Sequence, residues 1–173
     1  RVLAGVEVEV RGDGTLDLPD DALTELDLVV AALHTGLRQD REQVTARMLA
    51  AIRHPYVDVI AHPTGRLIGE REGADLDMEA VFRAAAETGT AIEINAHPAR
   101  LDLNDVHVRR AVELGVKLVM SSDAHSIDGF EVLRFGIATA RRGWATAADV
   151  LNTRSAEELL SHARKRGRHA REV

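Results

Sequence analysis

Short runs rich in β-branched residues, separated by stretches of helical periodicity, constrain this chain more than any other feature. They are VLAGVEVEV (residues 2–10), LDLVVAAL (26–33), VDVIA (57–61), TAIEIN (90–95) and VKLVMS (116–121). In the first, strict alternation puts Val6, Val8 and Val10 on one face and Gly5, Glu7 and Glu9 on the other, the signature of a strand with two carboxylates on one side. Between the runs, Asp40 followed by Gln43 marks a helix start, and Val44, Met48, Leu49 and Ile52 recur at helical spacing until His54-Pro55. Further helices are predicted over 77–88, closed by Gly89, and over 104–114, closed by Gly115. The pattern also predicts helices over 129–142, a short one over 147–151, and one from Ser155, capped with Glu158, to Gly167. Gly12, Asp13 and Gly14 mark a hairpin-like turn. Strands alternating with helices at these lengths argue for βα units and a parallel sheet, either open and doubly wound or closed into a barrel.

The polar residues discriminate between those two. His34, His62, Asn95 and Asp123 each stand at or just past the C-terminal end of a predicted strand, where barrel enzymes place their chemistry. A complete (β/α)8 barrel usually needs about 250 residues, against 173 here. The chain opens at Arg1 inside a predicted strand, without an initiator Met, so it reads as a piece of a larger domain whose other strands lie upstream. Residues 1–173 are expected to form the C-terminal portion of one domain, with a basic tail over about 164–173.

Composition excludes several classes. No cysteine is present, so disulfides and thiolate metal sites are ruled out and any metal sits on His, Asp, Glu or water. With it, no apolar run approaches the ~20 residues needed to span a bilayer, and a cytoplasmic, membrane-free protein is expected. The formal charge of −6 argues against gripping nucleic acid through a generally positive surface. The oligomeric state is left open.

SSDAH, residues 121–125, sends an Asp and a His off a strand end two residues apart, so both side chains project to one side and can reach one ion or bridge two. Alone, this is also the pattern of a polar turn. His34 and His62 taken singly are equally loop or core histidines; together with Asp123 and His125 at equivalent strand ends they form a candidate site. Glu7 and Glu9 are costly on a buried strand unless paired or bound to cations, and either could be a ligand.

The blocks GVEVEV, LDLVVAALHTGLRQ, IAHPTGRLIG, TAIEINAHPARLDLND, SSDAH and GIATARRGWATAADVLNT, running from Gly5 to about Thr153, resemble the PHP domain of bacterial family X DNA polymerases. The resemblance implies a distorted (β/α)7 TIM-like barrel, here a partial one, with a trinuclear metal centre. It selects Glu7 over Glu9 and gives Glu7, His34, His62, Asp123 and His125 as the metal ligands and catalytic residues. The family's remaining ligands, an HxH pair, an Asp and another His, belong to earlier motifs that this sequence does not contain.

A His and carboxylate set suits Zn²⁺ or Mn²⁺, and with no activated serine or cysteine the implied nucleophile is metal-activated water. By resemblance the reaction is 3′-5′ exonucleolytic cleavage at DNA 3′ ends within a repair polymerase, so DNA is the implied partner. Arg66 and Arg100 follow strand ends and could reach phosphate oxygens or hold a loop. His97 stands where relatives often have another residue and could add a ligand, contact substrate or do neither; it is assigned to the substrate side. Glu93 could orient a ligand histidine or be a buried polar group. His54, His107, His162 and His169 read as surface residues. The alternatives are a phosphomonoesterase of the histidinol-phosphatase type and a degenerate PHP module serving as a platform. The piece alone is expected to bind metal weakly and hydrolyse little.

Overall fold

The alternating run near the start of the chain forms a strand over Gly5–Glu9 (β1) in a computed structural model that describes residues 2–164. After a turn at Gly14 and a single antiparallel bridge from Val10 to Leu16 comes a one-turn helix, Asp20–Thr24 (α1), too short for periodicity to reveal. The next strands are Leu28–Ala32 (β2), Val59–Ile60 (β3), Ala91–Asn95 (β4) and Leu118–Ser121 (β5). The helices between and after them are Arg41–Arg53 (α2), Met78–Thr88 (α3), Asp105–Glu113 (α4), Leu133–Arg142 (α5) and Ala156–Arg164 (α6).

The predicted caps account for the helix ends. The Asp40, Asp77 and Asn104 side chains accept from the N–H groups of Gln43, Ala80 and His107, satisfying donors that have no partner inside the helix. Ser155 and Glu158 form a reciprocal box, each side chain accepting the other's main-chain N–H. Gly89 closes α3 with φ 74°, which only glycine adopts without strain. Two helices differ from expectation. The helix expected over 129–142 is a 3₁₀ segment, Ile127–Val132, running into α5. The short helix expected over 147–151 is a turn, then a bridge from Val150 to Leu118, then a 3₁₀ turn over Leu151–Thr153. Val150 adds to the sheet edge instead of turning. Gly167, His169 and the rest of the basic tail beyond residue 164 lie outside the described residues.

All the strands pair parallel, and their order in the sheet is their order in the chain, β1-β2-β3-β4-β5. A doubly wound sheet reverses its order at a switch point; this one does not, and an arc of a barrel is compatible with it. Parallel pairing puts register partners on the same face. On the helix-covered face Val8, Val10, Val29, Ala31, Ile60, Ile92, Ile94 and Leu118 form the main core with Val44, Met48, Ile52, Val81, Phe82, Val108 and Ala111. The opposite face carries Glu7, in register with Val30, then Val59, and Glu93 in register with Val119. Its lower part is apolar: Leu28, Val30, Val59 and Val119 face Leu151 and Leu159 across a groove of ≈ 200 Å³. Its upper part, toward the strand C-termini, is polar, with Glu7, Glu9, Glu93, Asn95 and Ser121. No described helix is long and apolar enough to cross a membrane.

Candidate metal centre

Glu7 rises from the middle of β1 on the open face, and its Oε1 lies 3.0 Å from His34 Nε2 and 3.5 Å from His62 Nε2. The histidines come from equivalent places, two residues past the ends of β2 and β3, so the parallel register delivers both to one level of the sheet. Their rings meet edge to face with centroids 5.2 Å apart. Among the described residues, this trio is the group of His and carboxylate side chains whose donor atoms all fall within 4.8 Å of one another. His62 adopts φ 26°, in the left-handed region that a β-carbon disfavours, and such backbone is found where surrounding contacts over-determine it.

Those contacts are visible. The His62 N–H donates to a Glu93 carboxylate oxygen, and the other oxygen accepts from Ser121 Oγ. The following loop is pinned by buried Asp102, whose Oδ2 accepts from Thr64 N at 2.9 Å, Thr64 Oγ1 at 2.9 Å and Gly65 N at 3.0 Å. Burial raises the pKa of both carboxyls against these hydrogen bonds. Glu7 is held below the usual carboxylate range, first by its hydrogen bond with His62. Burial acts to lower His62, yet the bond to Glu7 and neighbouring carboxylates bring it above the ordinary histidine value. The site therefore favours added positive charge.

The residues fit a divalent cation. Two imidazoles and one carboxylate are donors that Zn²⁺ and Mn²⁺ share, and His34 and His62 both turn Nε2 toward Glu7 Oε1.

The structure places Asp123 and His125 outside this trio. Asp123, φ 53°, accepts from Asn95 Nδ2 at 3.1 Å and lies 3.4 Å from Arg100 Nε. The His125 ring is 89% exposed and its Nδ1–H donates to the Asp123 carbonyl at 2.8 Å. Arg66 donates to the carbonyls of Arg100 and Leu101, so it holds the loop that carries Arg100. His97 is exposed, with its N–H on Asn95 Oδ1 and its Nδ1 accepting from Ala99 N. His107 is not the surface residue expected: its ring packs against Phe82 at 6.1 Å, and burial lowers its pKa. His162 likewise lines the inner groove.

Sequence reasoning missed Arg47, Asn95 as a partner of Asp123, and Asp102. For Arg47 a signal existed: it stands three residues after Val44 on the buried face of α2, where a charge needs a partner.

No protein-family profile matches the chain. Individual proteins do. Over 159 residues, 92% of the chain, it is 44% identical to the DNA polymerase/3′-5′ exonuclease PolX of Bacillus subtilis, of which it spans 28%. That likeness is consistent with a PHP fragment of such a polymerase. The chain is also 35% identical, over 88% of its length, to a probable phosphatase of a Thermoanaerobacter species, spanning 64% of it. A probable phosphatase of Acetivibrio thermocellus is 35% identical over 78% of the chain. The chain thus spans about a quarter of the polymerase and just under two thirds of the phosphatase.

Proposed function

We propose that this chain is the metal-dependent PHP phosphodiesterase of a family X repair polymerase and removes nucleotides from DNA 3′ ends. The observation that carries this reading is the convergence of Glu7, His34 and His62 in a setting that favours positive charge. It is supported by the likeness to a protein named as a 3′-5′ exonuclease. A Zn²⁺ or Mn²⁺ ion supplies charge neutralisation at phosphoryl oxygens and acidifies a water molecule as nucleophile.

The protein's own residues do the rest. Glu7, His34 and His62 would hold the ion, with Asp123 and His125 proposed to contribute from the end of β5 when further ions bind. Glu93 and Asp102 keep the His62 loop in place. Arg100, next to Asp123 at the same edge of the sheet, is positioned to meet a phosphate oxygen, and Arg66 supports its loop. His97, exposed after β4, is proposed to contact the substrate.

A second reading, a phosphomonoesterase acting on a small substrate, is favoured by the likeness to probable phosphatases. One experiment separates them. The longest polypeptide that carries this sequence is incubated with Mn²⁺ and either 3′-labelled DNA or p-nitrophenyl phosphate, beside its Glu7→Gln variant. Release of labelled nucleotide by the unaltered protein alone is expected. Hydrolysis of the ester with intact DNA would transfer the assignment to the second reading.

A further inference from the structure

Behind His34, on the side away from Glu7, lies a carboxylate with no proton to give. Glu9 Oε2 accepts from the His34 main-chain N–H at 3.0 Å and sits 2.7 Å from His34 Nδ1. Glu9 Oε1 accepts from Thr35 N at 3.1 Å, Thr35 Oγ1 at 2.7 Å and Arg47 Nη2 at 3.2 Å. Main-chain N–H and guanidinium groups can only donate. Surrounded by them, Glu9 is an acceptor on both oxygens, so the short contact to the ring requires the proton on Nδ1. A neutral His34 then presents a bare Nε2 lone pair 3.0 Å from Glu7 Oε1. This is the opposite tautomer from the one a solvated histidine prefers, and at that distance Nε2 and Glu7 Oε1 must share either a proton or a bound cation.

Arg47 secures this arrangement from the core. Its side chain is 1% exposed on α2. Nε donates to the carbonyls of Val10 at 3.0 Å and Arg11 at 2.7 Å, and Nη1 to the Thr35 carbonyl at 2.8 Å and Gln39 Oε1 at 3.0 Å. One guanidinium thereby ties the end of β1, which carries Glu9, to the loop after β2, which carries His34. A lysine ammonium has neither the planarity nor the number of donors to do both.

We infer that Glu9, held by buried Arg47, is a positioning residue that locks His34 in the Nδ1–H tautomer and so aims its Nε2 lone pair at the Glu7 site. The inference rests on the metal-site reading only for its consequence, since the tautomer can be read without any metal. Carboxylates behind ligand histidines act in this way, and their loss commonly weakens metal binding about 10- to 100-fold.

The test is ¹⁵N NMR of the metal-free protein at a pH where the ring is neutral, with His34 assigned through His34→Gln. The unaltered protein is expected to show mainly the Nδ1–H form. Glu9→Gln must turn an amide N–H toward either His34 or the donors on Thr35 and Arg47, and is expected to shift most of the population to Nε2–H. It should also weaken Mn²⁺ binding about 10-fold or more by calorimetry. Arg47→Lys, checked for native circular dichroism, gives a second route and is expected to produce a mixture of tautomers. An Nε2–H form dominant in the unaltered protein, or tautomers and Mn²⁺ affinity unchanged in folded Glu9→Gln, would overturn the inference. The expected tautomers with no Mn²⁺ binding by any of the proteins would sink the metal-site reading and leave the positioning role standing.

Discussion

The carboxylate of Glu93, on β4, accepts the main-chain N–H of His62, which follows β3. Its other oxygen takes the hydroxyl of Ser121 at the end of β5, so one buried side chain, 6% exposed, ties three neighbouring strand ends. Glu93→Ala leaves the His62 N–H and the partly exposed Ser121 hydroxyl without this acceptor, and a buried unsatisfied group such as the N–H costs about 1–3 kcal/mol. A loss of about 1–3 kcal/mol in urea denaturation is expected, with Glu93→Gln losing less because one oxygen still accepts. An alanine variant as stable as the unaltered protein would show that the tie contributes nothing.

Acid stability has a separate source on the outside of the sheet. Glu79 on α3 takes Arg110 of α4 through two nitrogens, both at 2.8 Å, and Arg83 at 2.6 Å. The hydrogen bond from Arg110 is the largest cause holding its pKa at about 2, against an ordinary 4.5. A folded pKa below the unfolded one gives stability that is present above pH 4.5 and lost as pH falls toward about 2. Glu79→Gln should lower the melting temperature slightly at neutral pH, since exposed pairs contribute little, and flatten the acid limb so that the two proteins converge toward about pH 2. In about 1 M salt, where the Debye length is ~3 Å, the two proteins should converge. A variant with the same acid limb at low salt would place the titration elsewhere.

Two glycines that look alike in sequence, each following a helix, make opposite demands. Gly143 after α5 has an ordinary φ of −80°, but a β-carbon there would lie 2.4 Å from Val108 Cγ1 and 2.8 Å from the Asp105 carbonyl. Gly89 after α3 has open space around it and φ 74°. Gly143→Ala is therefore an overpacking change between α4 and α5, expected to cost about 1–3 kcal/mol or more. Gly89→Ala carries only the backbone penalty of ~1 kcal/mol. Thermal denaturation ranks them, and the reverse order would contradict the packing described here.

That contrast shows where the sequence was legible. Caps and helix closures are local chemistry, so Asp40, Ser155 with Glu158, and Gly89 could be read from their neighbours. Strand ends were legible too, because β-branched runs stop where His34 and His62 begin. The partners across the sheet were not. Nothing in the string places Asp102 beside Thr64, 38 residues away, or Arg47 beside Glu9, also 38 residues away. Those contacts depend on the parallel register. The same limit applies to Glu7 and Glu9: alternation puts both on one face, and only the level at which His34 arrives separates a residue between two histidines from one behind a histidine.

Metal binding should register in stability before it registers in any assay of activity. A ligand that binds only the folded protein stabilises it by about 2.7 kcal/mol at a hundred times its dissociation constant. For a chain of this size that corresponds to a rise of roughly 5–10 °C in melting temperature. Mn²⁺ is expected to produce such a rise, and a chelator to reverse it. Glu7→Gln keeps the shape of the side chain but removes the charge that lies 3.0 Å from His34 Nε2 and 3.5 Å from His62 Nε2. Its melting temperature should therefore respond to Mn²⁺ by only a small fraction of that amount. Glu113→Gln is the control, since that carboxylate serves Arg109 and Arg110 on the outer surface of α4. Equal shifts for Glu7→Gln and the control would mean that the ion binds somewhere other than between β1 and its two neighbouring strand ends.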